Sequence, residues 1–89
     1  MSELYVDSIA MVASLLYCAD VPFTLLPLFD GFQLRFPWHV GDVACHNGTY
    51  GADAGMVETY QFPWDDGDVS ELKPIRAAKL IVDLYRSTR

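Results

Sequence analysis

The sequence predicts an α+β domain of two layers, in which a four-stranded antiparallel sheet is flanked by an N-terminal and a C-terminal helix (α-β-β-β-β-α). Three observations lead to this prediction. Apolar residues recur with helical spacing at both ends of the chain, four short apolar segments separated by turn residues fill the middle, and an Asp-Gly pair joins two of these segments. With 89 residues, of which 52% are hydrophobic, the chain forms one domain, residues 1–89, around one core.

The first predicted element is a helix over residues 3–18. Ser2 can cap it, and Glu3 lies in the first turn, where the helix dipole favours negative charge. Its polar residues fall on one narrow face, and apolar residues cover most of the remaining surface. That distribution is typical of a helix at the centre of a core, and an interface with a partner is the alternative interpretation. Asp20 and Pro22 end the helix.

Four strands are predicted to follow, over residues 23–29, 32–38, 41–46 and 56–62. The first two flank Asp30 and Gly31, and a two-residue Asp-Gly between apolar runs is a strong hairpin signal. Pro27 cannot donate a backbone hydrogen bond, so the first strand should lie at an edge of the sheet. Residues 47–55 have the composition of a loop.

The last helix is predicted to begin at residue 70 or 74 and to end near 87. Asp68 and Glu71 have the spacing of a capping box, whereas Pro74 suits the first turn of a helix. Its buried stripe comprises Ala77, Ala78, Ile81, Leu84 and Tyr85. Its solvent-facing side comprises Arg76, Lys79, Asp83 and Arg86.

Charge is divided unevenly along the chain. Residues 1–72 contain eleven acids and one base, whereas residues 73–89 contain five bases and one acid, for a net charge of −6. Surfaces that bind phosphates are rich in Lys and Arg. We therefore expect the acidic body to bind neither nucleic acid nor an anionic membrane directly, and to attract basic surfaces. Acidity that serves only solubility is the alternative explanation.

The sequence indicates a cytoplasmic protein. The start, Met1-Ser2-Glu3, lacks the basic region of a signal peptide, and the apolar run 9–19 is shorter than the roughly 20 residues of a membrane span. Cys18 and Cys45 lie in a predicted helix and a predicted strand, which favours free thiols in a reducing compartment. We expect the protein to act as a monomer.

No residue pattern indicates an enzyme, a metal site or a cofactor. Cys45 and His46 are adjacent in a predicted strand, so their side chains should point to opposite faces. His39, Asp42 and His46 do not have the spacing of a zinc site. Residues 65–68 resemble part of a calcium loop but lack its twelve-residue length and closing Glu. We expect a non-enzymatic protein without a bound cofactor.

A short motif occurs twice, as Phe36-Pro37-Trp38 and, 26 residues later, as Phe62-Pro63-Trp64. Two copies are too few for a solenoid. The motif predicts either the same structural corner used twice, or a pair of tryptophans, Trp38 and Trp64, that anchor a partner.

The acids of the sheet region are the main candidates for a binding surface. They are Asp30, Asp42, Asp53, Glu58, Asp65, Asp66, Asp68 and Glu71, with Trp38, Trp64, Tyr50 and Tyr60 as aromatic anchors beside them. Such a surface can imitate the charge of DNA and occupy a basic groove. We expect replacement of Asp65, Asp66 and Asp68 together to weaken partner binding without changing the thermal midpoint.

One part of the chain resembles small phage-borne proteins of bacteria, some of which are grouped with anti-CRISPR proteins directed at type I Cascade complexes, including type I-C-like inhibitors. The resemblance covers about a third of the chain and lies in Phe36-Pro37-Trp38, Gly41-Asp42-Val43-Ala44-Cys45-His46, Tyr50-Gly51, Gly55-Met56-Val57-Glu58-Thr59-Tyr60 and Phe62-Pro63-Trp64-Asp65. It implies a stoichiometric inhibitor in the bacterial host cell that binds a basic DNA-binding subunit of a CRISPR effector. It assigns no individual residue, and the basic last helix either packs on the body or contacts guide RNA.

The alternative function is that of a small phage structural or regulatory protein. Such a protein would act through protein contacts or by homo-oligomerisation through the apolar first helix.

Overall fold

The protein, described here over residues 3–88 by a computed structural model, places two helices on one face of a five-stranded antiparallel sheet. The strands follow one another in the order β1-β2-β3-β4-β5, each paired with its neighbour in sequence. The helices are α1 (Glu3–Cys18) and α2 (Pro74–Ser87), and the strands are β1 (Thr24–Leu28), β2 (Gly31–Phe36), β3 (His39–Cys45), β4 (Val57–Tyr60) and β5 (Val69–Leu72). Short 3₁₀ turns cover Ala52–Ala54 and Pro63–Asp65.

The α+β class and the two flanking helices confirm the prediction, but the sheet has five strands instead of four. The additional strand, β5, includes Ser70 and Glu71, which only the earlier of the two predicted starts places in the last helix. Val69 and Ser70 pair with Tyr60 and Thr59 on β4. Pro74 keeps the preceding residue out of the helical region, and Lys73 is accordingly extended, with φ −64° and ψ 144°. The helix therefore begins at Pro74, the later of the two predicted starts.

The predicted β1–β2 hairpin is present, with its turn shifted by one residue. Leu28 pairs with Gly31, so the two turn residues are Phe29 and Asp30, and Phe29 adopts a positive φ of 54°. Gly31 belongs to the strand, where it faces the backbone of β3 at close range. As expected from Pro27, β1 forms an edge of the sheet.

The core lies between the inner face of the sheet and one stripe of each helix. Helix α1 buries Tyr5, Ile9, Val12 and Leu16, which are spaced by three or four residues, and α2 buries Ala77, Ala78 and Ile81. They pack against Leu34, Val43, Cys45 and Val57 of the sheet.

The prediction that α1 is surrounded by core residues is wrong for half of its circumference. Several of its other apolar side chains, among them Met11, Leu15 and Tyr17, are exposed, because nothing in residues 3–88 covers the side of the helix that faces away from the sheet. The predicted cap at Ser2 lies outside the described residues. Between residues 3 and 88, neither helix is long and apolar enough to cross a membrane.

Candidate functional site

The sheet surface opposite the helices is the main candidate for a binding site. Because paired residues in antiparallel strands point to the same side, the strand register determines which residues share this surface. One row across the sheet contains Arg35, Asp42 and Tyr60, and the next contains Gln33, Ala44, Glu58 and Glu71. We call this surface, formed by Gln33, Arg35, Asp42, Glu58, Tyr60 and Glu71, the open face.

Two carboxylates stand directly opposite each other on the open face. Glu58 of β4 and Glu71 of β5 are register partners, and like charges in that position destabilise a sheet. Glu58 accepts a hydrogen bond from the backbone N–H of Tyr50 at 2.9 Å, which fixes one of the two side chains. The Glu71 carboxylate lies over Gly51 in the same loop. The fold thus keeps a repulsive pair at the centre of two neighbouring strands.

The sequence does not indicate this pair, because neither predicted start of the last helix, residue 70 or residue 74, is accompanied by a strand at residue 71. Once β5 is recognised as a strand, the alternation of side chains brings Glu58 and Glu71 to the same face. Two tyrosines lie beside them: Tyr60 is on the open face, and Tyr50 is 68% exposed in the adjoining loop. Tyr50 also borders a shallow depression with Asp68, Val69 and Glu71.

Asp42 is the third acid of the open face and is partly buried. Burial raises the pKa of its carboxyl, while a hydrogen bond from Gln33 and the charge of Arg35 act in the opposite direction. The negative charge of Glu58 raises the pKa further. Ionisation of Asp42 is therefore less favourable in the folded state than in the unfolded chain.

We expect Asp42→Asn to remove this cost in a pH-dependent way. Because the folded-state pKa of Asp42 is raised, protonation stabilises the fold at low pH, and that contribution is lost as the pH rises through the raised value. The unfolding free energy of the variant relative to wild type should increase as the pH rises from the ordinary Asp pKa of 3.8 through the raised value. Urea titrations at several pH values measure this difference, and a constant difference would contradict the assignment.

Asp66 and Asp68 lie at the edge of the open face, in the turn between β4 and β5. Both are exposed, and Asp68 accepts a hydrogen bond from the Val69 N–H at 2.8 Å. Asp65 differs from its neighbours, because it is only 4% exposed. Its two carboxylate oxygens accept hydrogen bonds from the Thr59 hydroxyl at 2.8 Å and from the Phe62 N–H at 3.0 Å. Asp65 therefore holds the turn together.

Asp30 and Asp53 lie at the other end of the sheet, in the turn and loop that precede β2 and β4. Asp30 accepts a hydrogen bond from the Asn47 N–H at 2.9 Å and ties the hairpin to the next loop. Asp53 accepts one from the Tyr5 hydroxyl at 2.5 Å, and this bond raises the pKa of Tyr5 to about 12. These two acids stabilise contacts within the domain and are separate from the acids of the open face.

Both tryptophans are half-buried and use their indole N–H groups within the domain. Trp38 donates to the carbonyl of Pro22 at 2.9 Å and packs on Tyr85, with ring centroids 4.9 Å apart. Trp64 donates to the Thr59 hydroxyl at 3.0 Å and stacks on Phe62, at 4.6 Å and an interplanar angle of 8°.

The two copies of the repeated motif share a pair of packed rings but not a backbone, because Pro37 and Trp38 form the turn between β2 and β3, whereas Pro63–Asp65 form a 3₁₀ turn. In each copy the phenylalanine is buried and the tryptophan packs beside it, and the Phe36 and Phe62 rings meet at 5.8 Å. Gly41 makes room for this packing, because a Cβ at that position would lie 2.8 Å from the Phe62 ring. The geometry favours the structural interpretation of the motif.

Cys45 and His46, the residues considered for catalysis, lie at the end of β3 and directly after it. Cys45 is fully buried, and burial raises the pKa of its thiol. The ring of His46 packs on Phe29, at 5.0 Å, and its Nδ1 accepts a hydrogen bond from the Gly48 N–H. In the part of the chain that the structure describes, no group of three or more His, Cys, Asp or Glu side chains is placed to hold a metal ion.

Comparison of the chain with protein-family models, curated proteins and solved structures found no match.

Proposed function

We propose that this protein is a non-enzymatic inhibitor that uses its open face to occupy a basic nucleic-acid-binding groove in competition with DNA. The observation that carries the proposal is the pairing of Glu58 with Glu71 across two strands. A like-charge pair on a sheet lowers stability, and such local violations of folding rules concentrate at functional sites. A basic partner would relieve the repulsion on binding.

The distribution of charge over the two layers supports this proposal. The open face carries Asp42, Glu58 and Glu71 against the single base Arg35, and Asp66 and Asp68 add negative charge at its edge. The basic side chains of α2 lie on the helix layer, on the other side of the sheet. A domain with charges separated in this way approaches a basic groove with its acidic side first, which increases the association rate.

The tyrosines at the open face supply the contact area that charge alone lacks. Tyr60 and Tyr50 are both exposed, and tyrosine combines a large apolar ring with a hydroxyl that can hydrogen-bond to a partner. Trp38 and Trp64 contribute less, because both are half-buried and their N–H groups are already used. We therefore assign the anchoring role to the tyrosines.

The resemblance to anti-CRISPR proteins makes the basic DNA-binding subunit of a type I Cascade complex the first partner to test, in the cytoplasm of a bacterial host. The sequence also suggested a phage structural or regulatory protein that self-associates. That alternative depends on the helix layer and leaves the open face unused.

The test is the double variant Glu58→Gln/Glu71→Gln, for which we expect opposite effects on folding and binding. Removal of the repulsion should raise the unfolding free energy by about 0.5 kcal/mol. Loss of two charges should weaken binding to a basic partner by roughly tenfold or more at low salt. Displacement of a labelled DNA duplex from purified Cascade, measured at several salt concentrations, reports the binding.

The matched control is Glu3→Gln/Asp20→Asn, which removes two exposed charges away from the open face. Both double variants lose two negative charges and have the same net charge. We expect the control to displace DNA nearly as well as wild type does. If both double variants displace DNA equally poorly, net charge alone determines the binding and the open face is not the site. If wild type displaces no DNA, Cascade is not the partner.

A further inference from the structure

The outer surface of the helix layer contains an apolar groove between α1 and α2. Two adjoining depressions form it, and both include Leu15 of α1 and Ile75 of α2. Met11 lies in one of them. These three side chains are 45% (Met11), 40% (Leu15) and 64% (Ile75) exposed, so the groove places apolar surface in water. We call this surface the helix groove.

The charged residues that border the helix groove are arranged with opposite signs at its two ends. One depression is bordered by Asp7. The other is bordered by Lys79, Arg86 and Asp83, so that it carries one excess positive charge. The four charges together sum to zero. A surface that binds an anionic membrane or a strongly charged partner carries an excess of charge of one sign. A surface with an acidic end and a basic end is instead complementary to a copy of itself.

We propose that the helix groove binds a second copy of this chain in a dimer with two-fold symmetry. An axis near Leu15 and Ile75 would bring the apolar centres of both copies together. If the axis runs at right angles to the length of the groove, it also exchanges the two ends and places Asp7 of each copy beside Lys79 of the other. The dimer would replace the monomer that we expected from the sequence.

Such a dimer would leave both acidic surfaces available. The helix groove and the open face lie on opposite sides of the domain, so the two open faces would point away from each other. A dimer could then engage two basic sites at once, and its avidity would exceed the affinity of one face. The helix groove shares no residue with the open face, so the dimer can fail while the proposed function stands.

The first test is sedimentation equilibrium of the purified chain, in which we expect the mass to rise from one copy to two with concentration. Ile75→Glu places a charge at the centre of the helix groove, in the first turn of α2, where the helix dipole tolerates an acid. We expect it to raise the dimer dissociation constant about tenfold or more. Tyr17→Glu is the control, because it adds the same charge to an exposed apolar position of α1 outside the groove.

The second test is a charge exchange between the two ends of the groove. Asp7→Lys and Lys79→Asp should each weaken the dimer by roughly tenfold, since each places like charges together. The double variant should recover the wild-type dissociation constant, because the exchanged pair is again complementary. A wild-type protein that remains a monomer at about 100 μM, or a dimer unaffected by Ile75→Glu, would overturn the proposal. Failure of the double variant to recover would overturn the two-fold arrangement.

Discussion

Replacement of Gly31 by alanine should destabilise the protein by about 3 kcal/mol or more. A Cβ atom at this position would overlap the carbonyl oxygen of Cys45 and lie 3.0 Å from the Cα of His46. Both are backbone atoms of the neighbouring strand and its end, so no side-chain rotation can make room. β2 would therefore have to separate from β3 at Gly31, the first residue of β2 after the hairpin turn. Urea unfolding followed by far-UV circular dichroism measures the effect.

Gly48→Ala is the matched control for Gly31→Ala. Gly48 is exposed in the β3–β4 loop, and an added Cβ would meet only the ring of His46. That side chain can move, so we expect a loss below about 1 kcal/mol. Equal losses in the two variants would show that the close approach of Gly31 to β3 does not limit the fold.

Asp65→Asn should cost about 2–3 kcal/mol of unfolding free energy, although it removes one negative charge from an acidic protein. The carboxylate accepts hydrogen bonds from Thr59 and Phe62 through its two oxygens, and Thr59 in turn accepts one from the Trp64 indole. An amide has only one oxygen, so its NH₂ group would face a donor in a buried site. The prediction is checked by thermal and urea unfolding at neutral pH.

Asp66→Asn provides the comparison, because it removes the same charge one residue further along the chain. Asp66 is exposed and adopts a positive φ of 50°, which asparagine tolerates well. We expect a change of less than about 0.5 kcal/mol. If Asp65→Asn were as mild as Asp66→Asn, the buried hydrogen-bond network would not hold the turn.

The difference between buried Asp65 and exposed Asp66 changes the binding experiment that the sequence suggests. Joint replacement of Asp65, Asp66 and Asp68 would lower stability through Asp65, and a loss of binding would then have two causes. Replacement of Asp66 and Asp68 alone removes charge from the edge of the open face and leaves the buried network intact. This pair of substitutions is therefore the appropriate extension of the Glu58 and Glu71 experiment.

The sequence by itself determined the elements that depend on local signals. Both helices follow from the spacing of apolar residues, and the edge position of β1 follows from Pro27. The buried and exposed sides of α2 follow in the same way, because one amphipathic stripe needs only one surface to cover it. The uneven distribution of charge between residues 1–72 and 73–89 is likewise a property of the sequence.

Only the tertiary structure decided which acids share a surface. Asp65 and Asp66 are adjacent in sequence, yet one is buried and the other exposed, because a tight turn directs the first inward to Thr59. Glu58 and Glu71 are thirteen residues apart and meet because β5 pairs with β4. Pairing between strands depends on partners distant in sequence, and short-range spacing, such as the capping-box pattern at residue 68, does not contain that information.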